Sequence, residues 1–197
     1  MTRVLFCVLM MFVVFGSIMS CERRGGMAEA DRDSDSLFLG IKFGMERQAF
    51  YDYCWKQNQQ QIFTHGPANN NVEYKLKSEL DHPVAMRFYP TFHEDKIFEM
   101  PVTFTYDAWA PWNRRFWADS LLVKILPVFK EWYGDDFKKL DHPTMGPVYY
   151  KIDGNRRINL FRKDDQFVQA VFTDLTVERK LKKAYAEKLK AESEKTQ

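Results

Sequence analysis

Between residues 109 and 117 the chain runs Trp-Ala-Pro-Trp-Asn-Arg-Arg-Phe-Trp. Tryptophan faces stack on sugar rings and apolar side chains, and arginine adds forked hydrogen bonds and cation–π contact. These residue types are enriched at binding hot spots. Trp109, Trp112, Arg114, Arg115 and Trp117 therefore form the candidate partner-binding set. The same aromatic density, together with Pro111, suits a linker that plugs a core between two halves of a domain. Both uses are open in the sequence.

Other chemistry-bearing residues are scattered. His82 and His142 each stand in Leu-Asp-His-Pro, at 80–83 and 140–143. A carboxylate beside histidine can orient a ligand or base, but proline and aspartate there equally make a turn. His65 and His93 lack a partner at metal-binding spacing. Asp135-Asp136 and Asp164-Asp165 sit in turns, where a carboxylate pair is usually solvated. They leave open an envelope-polymer hydrolase that assembles its acids by folding. No nucleophile elbow, Ser-x-x-Lys motif, phosphate loop or zinc-type cysteine pair is present. The sequence thus assigns no catalytic residue, metal ligand or cofactor.

Composition narrows the class. Hydrophobic residues make up 45% and aromatics 16%, which excludes a disordered chain. The formal net charge of +2 gives no electrostatic case for nucleic acid. A basic start, an apolar run from Val4 to Phe15 and small residues before Cys21 make residues 1–20 a secretory leader. The alternative is a signal anchor, since Val4 to Ser20 is uncharged and at the bottom of spanning length. Ile18-Met19-Ser20-Cys21 resembles the bacterial lipobox. That resemblance implies lipidation of Cys21, membrane attachment through its acyl chains, and a place in the cell envelope, at the outer membrane on its periplasmic or surface side. With Cys7 removed and Cys21 acylated, Cys54 is a lone thiol, expected in the core.

Positioning these residues requires the following elements. Residues 21–36 are polar, glycine-bearing and aperiodic, a flexible tether. An α+β domain is expected over 37–175, with halves 37–108 and 109–175. Leu37 to Phe43 form a short extended segment. Phe50, Tyr51, Cys54 and Trp55 mark one helical face. Strands are expected at 72–77, 84–92 and 97–106. A second helix carries Leu121, Leu122, Ile125, Val128, Phe129 and Trp132, with Pro127 expected to kink or split it. Strands at 148–152, 157–162 and 167–172 follow, and residues 176–197 form a charged helix with seven Lys/Arg against four Glu. The expectation is an antiparallel sheet of about six strands with helices on one face, two αβββ halves and a C-terminal helix.

That arrangement resembles the fold shared by β-lactamase inhibitor protein and small outer-membrane lipoproteins of the barrel-assembly machinery. Ile41-Lys42-Phe43-Gly44-Met45 before a helix is similar to the glycine-methionine helix start of those proteins. The Trp-Ala-Pro-Trp-Asn stretch also resembles envelope lipoproteins of Gram-negative bacteria. These resemblances imply a lipid-anchored envelope protein with a non-enzymatic binding or assembly role and a protein or glycan partner. The hydrolase and an inhibitor-like structural module are the alternatives.

Overall fold

In the strand Lys96–Tyr106 the side chains of Met100, Val102, Phe104 and Tyr106 are buried, Pro101 and Thr103 between them are half-buried, and the alternation ends at buried Thr105. A strand with that period needs close cover on one side. The computed structural model describes residues 34–194; the leader, Cys21 and the tether up to residue 33 lie outside them. The elements are β1 (Ser36–Phe38), β2 (Ile41–Lys42), α1 (Arg47–Gln59), β3 (Thr64–His65), β4 (Val72–Leu76), β5 (Val84–Phe88), β6 (Thr91–His93), β7 (Lys96–Tyr106), α2 (Ala118–Tyr133), β8 (Lys138–His142), β9 (Gly146–Asp153), β10 (Arg156–Arg162), β11 (Val168–Asp174) and α3 (Leu175–Glu194). The α+β class and the C-terminal helix agree with the sequence pattern.

Nine strands, β3 to β11, make one antiparallel sheet in the order β3-β4-β5-β7-β11-β10-β9-β8, with β6 beside the start of β7. The expected six strands are corrected to nine for two reasons. Pro90 has no N–H to donate, so the run 84–92 breaks into β5 and β6, both paired to β7. The outer strands β3 and β8 are exposed and mostly polar, as edge strands often are, so they carry no hydrophobic period to read. The expected αβββ unit becomes a helix followed by four main strands. The strand order is the same from either end, and the two runs meet where β7 pairs β11. There Phe104 lies opposite Val168, Val102 opposite Ala170, and Met100 opposite Phe172.

Three pieces cover that inner face: α1, α2 and a hairpin made of β1 and β2. The expectation of one extended segment over 37–43 is corrected. The chain reverses at Leu39 and Gly40, whose φ angles are 49° and 76°. Glycine suits this position twice over, because a Cβ on Gly40 would also lie 2.7 Å from the Tyr53 hydroxyl. Leu37, Phe38 and Ile41 are buried, and the Phe38 ring meets Phe88 at 5.0 Å and Phe172 at 5.5 Å. Each helix holds the hairpin by one tyrosine. Tyr53 of α1 donates to the Leu39 carbonyl at 2.5 Å, and Tyr133 of α2 to the Leu37 carbonyl at 2.8 Å. Buried Arg156 adds a third tie, donating to the Ser36 carbonyl and to Asp153.

Helix α2 continues through Pro127 as one helix, so the expected split does not occur. Pro127 is exposed, and Val123, whose carbonyl loses its helical donor, is 71% exposed, so that carbonyl lies on the solvent side of the helix. Helix α3 starts on the other side of the sheet. Arg157, which alternates with buried Arg156 and Ile158, grips Glu178 through both terminal nitrogens, at 2.9 and 2.8 Å. Asp174 Oδ1 caps the backbone N–H groups of Thr176 and Val177. Beyond half-buried Leu181 the helix is exposed, including Tyr185 and Leu189. Among the described residues no helix is long and apolar enough to cross a membrane.

Candidate functional site

Residues 107–117 carry the chain from the end of β7 to the start of α2 by stacked turns. Trp109 N–H donates to the Tyr106 carbonyl, Asn113 to Ala110, Phe116 to Asn113 and Trp117 to Arg114, all within 3.0–3.2 Å. The Asn113 side chain accepts from Arg115 N–H and starts a single 3₁₀ turn, Arg114–Phe116. Ala118 N–H then reaches across to the Asp165 carbonyl at 2.9 Å. A segment this closely bonded to itself holds its side chains in fixed directions.

Those directions divide the sequence candidates. Trp109 and Phe116 are half-buried and pack on the core. Trp117 is half-buried, with the Arg114 guanidinium 5.2 Å from its ring centroid. The indole nitrogens of Trp109 and Trp117 are buried without a hydrogen-bond partner. Trp112 is 86% exposed, and Arg114 and Arg115 are exposed beside it. Two of the three tryptophans are thus half-buried and the third stands in solvent.

His82 joins this segment, which its sequence position did not foretell. Arg115 Nη2 lies 3.1 Å from His82 Nε2. A guanidinium only donates, so Nε2 accepts and its lone pair is engaged. The imidazole also meets Phe116 edge-on at 5.1 Å. Next to it Lys124 and Asp81 pair at 2.9 Å. The hydrogen bond from Lys124 holds the Asp81 carboxyl below its ordinary range, and the bond to Asp81 raises the Lys124 ammonium. Asp81, His82, Arg115, Ser120 and Lys124 line a shallow cavity of about 290 Å³. Ser120 Oγ donates to the Arg114 carbonyl rather than to an imidazole, so no nucleophile and base are paired here.

The remaining candidates are structural in place. His142 Nδ1 accepts from the Thr144 and Met145 N–H groups, each at 3.3 Å, closing the β8–β9 turn. Asp164 accepts from Gln166 and Phe167 N–H, Asp165 pairs with Arg162, and Asp136 with Lys151. Among the described residues no three His, Cys, Asp or Glu side chains group as metal ligands do. Cys54 is half-buried, and burial pushes its thiol up to about 12.

Two larger grooves were not visible in the sequence. One, of about 760 Å³, lies beside the β1–β2 hairpin, lined in part by Tyr53, Tyr74, Trp132 and Tyr133 and by Glu73, Lys75 and Glu79. The other, of about 500 Å³, runs along α1. The signal for it was present: the face Phe50, Tyr51, Cys54, Trp55 is wider than a buried stripe needs to be. Only Phe50 is fully buried, whereas Tyr51 is 38% and Trp55 64% exposed.

Compared with known protein families, curated proteins and solved structures, the chain matches none.

Proposed function

We propose that the chain is a lipid-anchored cell-envelope protein that binds a protein or glycan partner and carries out no reaction of its own. Residues 1–20 are its leader, acylated Cys21 holds it to the membrane, and residues 109–117 present its binding edge. Trp112 carries the proposal. A tryptophan 86% exposed, on a rib fixed by its own hydrogen bonds and flanked by two exposed arginines, has no role in the core. Leaving a large aromatic in water forgoes roughly 1.5–3 kcal/mol of burial for a side chain of this kind. A partner that covers it recovers that energy, and the ordered rib adds little entropic cost to binding.

Two measurements test this. Mass spectrometry of membrane-extracted protein is expected to show an N-terminus at Cys21 carrying acyl chains, with Cys21→Ser released from the membrane fraction. Pull-down of the lipidated protein from its own membranes is expected to recover a partner that Trp112→Ala does not. An intact Met1 with unmodified Cys21 refutes the anchor; equal recovery by both forms refutes the edge.

A further inference from the structure

The groove along α1 differs in chemistry from the other two. Both of those are lined by carboxylates and ammonium or guanidinium groups. The α1 groove contains no Asp, Glu, Lys or Arg; its polar lining is Asn58, Asn69, Asn70, Asn71, Thr64 and His65. Against these amides stand three partly exposed aromatic rings, Trp55 at 64%, Tyr51 at 38% and Tyr89 at 40%. Flat apolar faces beside uncharged groups that both donate and accept match one kind of molecule. A neutral sugar has C–H faces that stack on aromatic rings and hydroxyls that donate and accept together. No Lys or Arg lines the groove, and the one guanidinium that reaches its rim, Arg47 at the Tyr51 hydroxyl, is already paired with Asp95; a purely apolar ligand would strip water from the amide positions that the protein leaves open.

The site is built rather than incidental. The Tyr51 and Tyr89 hydroxyls share a hydrogen bond of 2.7 Å, and Tyr89 meets buried Phe50 edge-on at 6.2 Å. Asn58 Nδ2 donates to the Phe63 carbonyl at 3.0 Å, which fixes the amide where α1 ends. On the opposite wall Asn71 Nδ2 donates to Asn70 Oδ1 at 2.9 Å, and Gly66 N–H bonds to the Asn71 carbonyl at 3.0 Å. Gly66 is needed there, since a Cβ on it would fall 1.7 Å from Asn71 Oδ1. The volume, about 500 Å³, lies within the ordinary range for small-ligand pockets.

We infer that this groove binds a neutral oligosaccharide, with Trp55 as the stacking platform, Asn58 and Asn70 reading hydroxyls, and Asn71 holding the Asn70 amide in place. It is a separate site from the Trp112 edge and does not depend on it.

The test uses full-length protein in a zwitterionic detergent without a sugar headgroup. Triacetylchitotriose, cellotriose and maltotriose are titrated calorimetrically, with trigalacturonate as the acidic counterpart. At least one neutral trisaccharide is expected to bind with a Kd of about 1 mM or tighter, and trigalacturonate more weakly. Trp55→Ala is expected to weaken that binding roughly tenfold or more. Trp55 is largely exposed, so the variant should melt with the parent. Val123→Ala, in α2 and outside the groove lining, is expected to bind the sugar as the parent does. Saturation by none of the three neutral sugars, equal binding of the acidic one, or unchanged binding by Trp55→Ala overturns the inference. Because partner pull-down is read through Trp112, either proposal can fail without the other.

Discussion

Replacing Phe38 by alanine tests whether the β1–β2 hairpin is part of the core or a strap laid over it. Phe38 is 4% exposed and touches one ring from each side of the β7–β11 seam, Phe88 and Phe172. Fully burying a phenylalanine is worth about 1.5–3 kcal/mol, and truncating one in a packed core adds the cost of the cavity. Alanine retains part of this, and two helices and a sheet can close only part of the void, so a loss of about 3–5 kcal/mol is expected. For a domain of this size each kcal/mol lowers Tm by about 2–4 °C. Urea unfolding followed by circular dichroism would read the loss directly, with Val123→Ala, 71% exposed, staying within about 0.5 kcal/mol of the parent. A loss below about 1 kcal/mol at unchanged m-value would show that the hairpin is not a load on the fold, and the account of the covering layer would be wrong.

Three further outcomes are expected. Pro127→Ala should stabilise the protein by about 1–3 kcal/mol in the same urea assay, because it restores a helical donor to a solvent-facing turn; destabilisation would mean that the ring has a packing role. Cys54 should react with iodoacetamide at pH 8 roughly 50–100-fold more slowly in the folded than in the unfolded protein, the greater nucleophilicity of a more basic thiolate offsetting part of its scarcity. Its raised value favours the folded state below the unfolded pKa of about 8.5, and that contribution fades as pH rises toward 12; equal folded and unfolded rates would contradict the burial. Glu178 is held below its ordinary range chiefly by the Arg157 hydrogen bonds, so its contribution is present above about pH 4.3 and is lost as pH falls through the lowered folded value. Glu178→Gln should speed amide exchange in the first turns of α3 at neutral pH while leaving β10 and β11 protected, and unchanged exchange in α3 would count against this anchor.

The central elements were legible because their chemistry is periodic. β4, β7, β10 and β11 largely alternate, β5 is a short apolar run, α2 repeats its apolar residues at helical spacing, and Asp153-Gly154 marks the β9–β10 turn. What escaped was set by partners distant in sequence. Ser36 to Lys42 offers too few residues for any period, and distant partners such as Phe88, Phe172, Tyr53, Tyr133 and Arg156 give it a place. Lys138 to His142 is a strand because β9 pairs with it, and its own residues would suit a loop equally well. Within 109–117 the residue types pointed to binding, but which tryptophan faces water depends on a 3₁₀ turn of three residues. The α1 groove was hidden by a default assumption, that aromatic residues sharing a helical face all point into the core.

The hairpin also imposes an order on events. Its seat needs Phe172 from the last strand and Tyr133 from the second helix, so the earliest folded residues to leave the ribosome are among the last to settle. Closing so long a span is slow relative to the local hairpins of either sheet half. Until β11 arrives, the hairpin has Phe88, Tyr53 and Tyr133 to meet but lacks the Phe172 side of its seat.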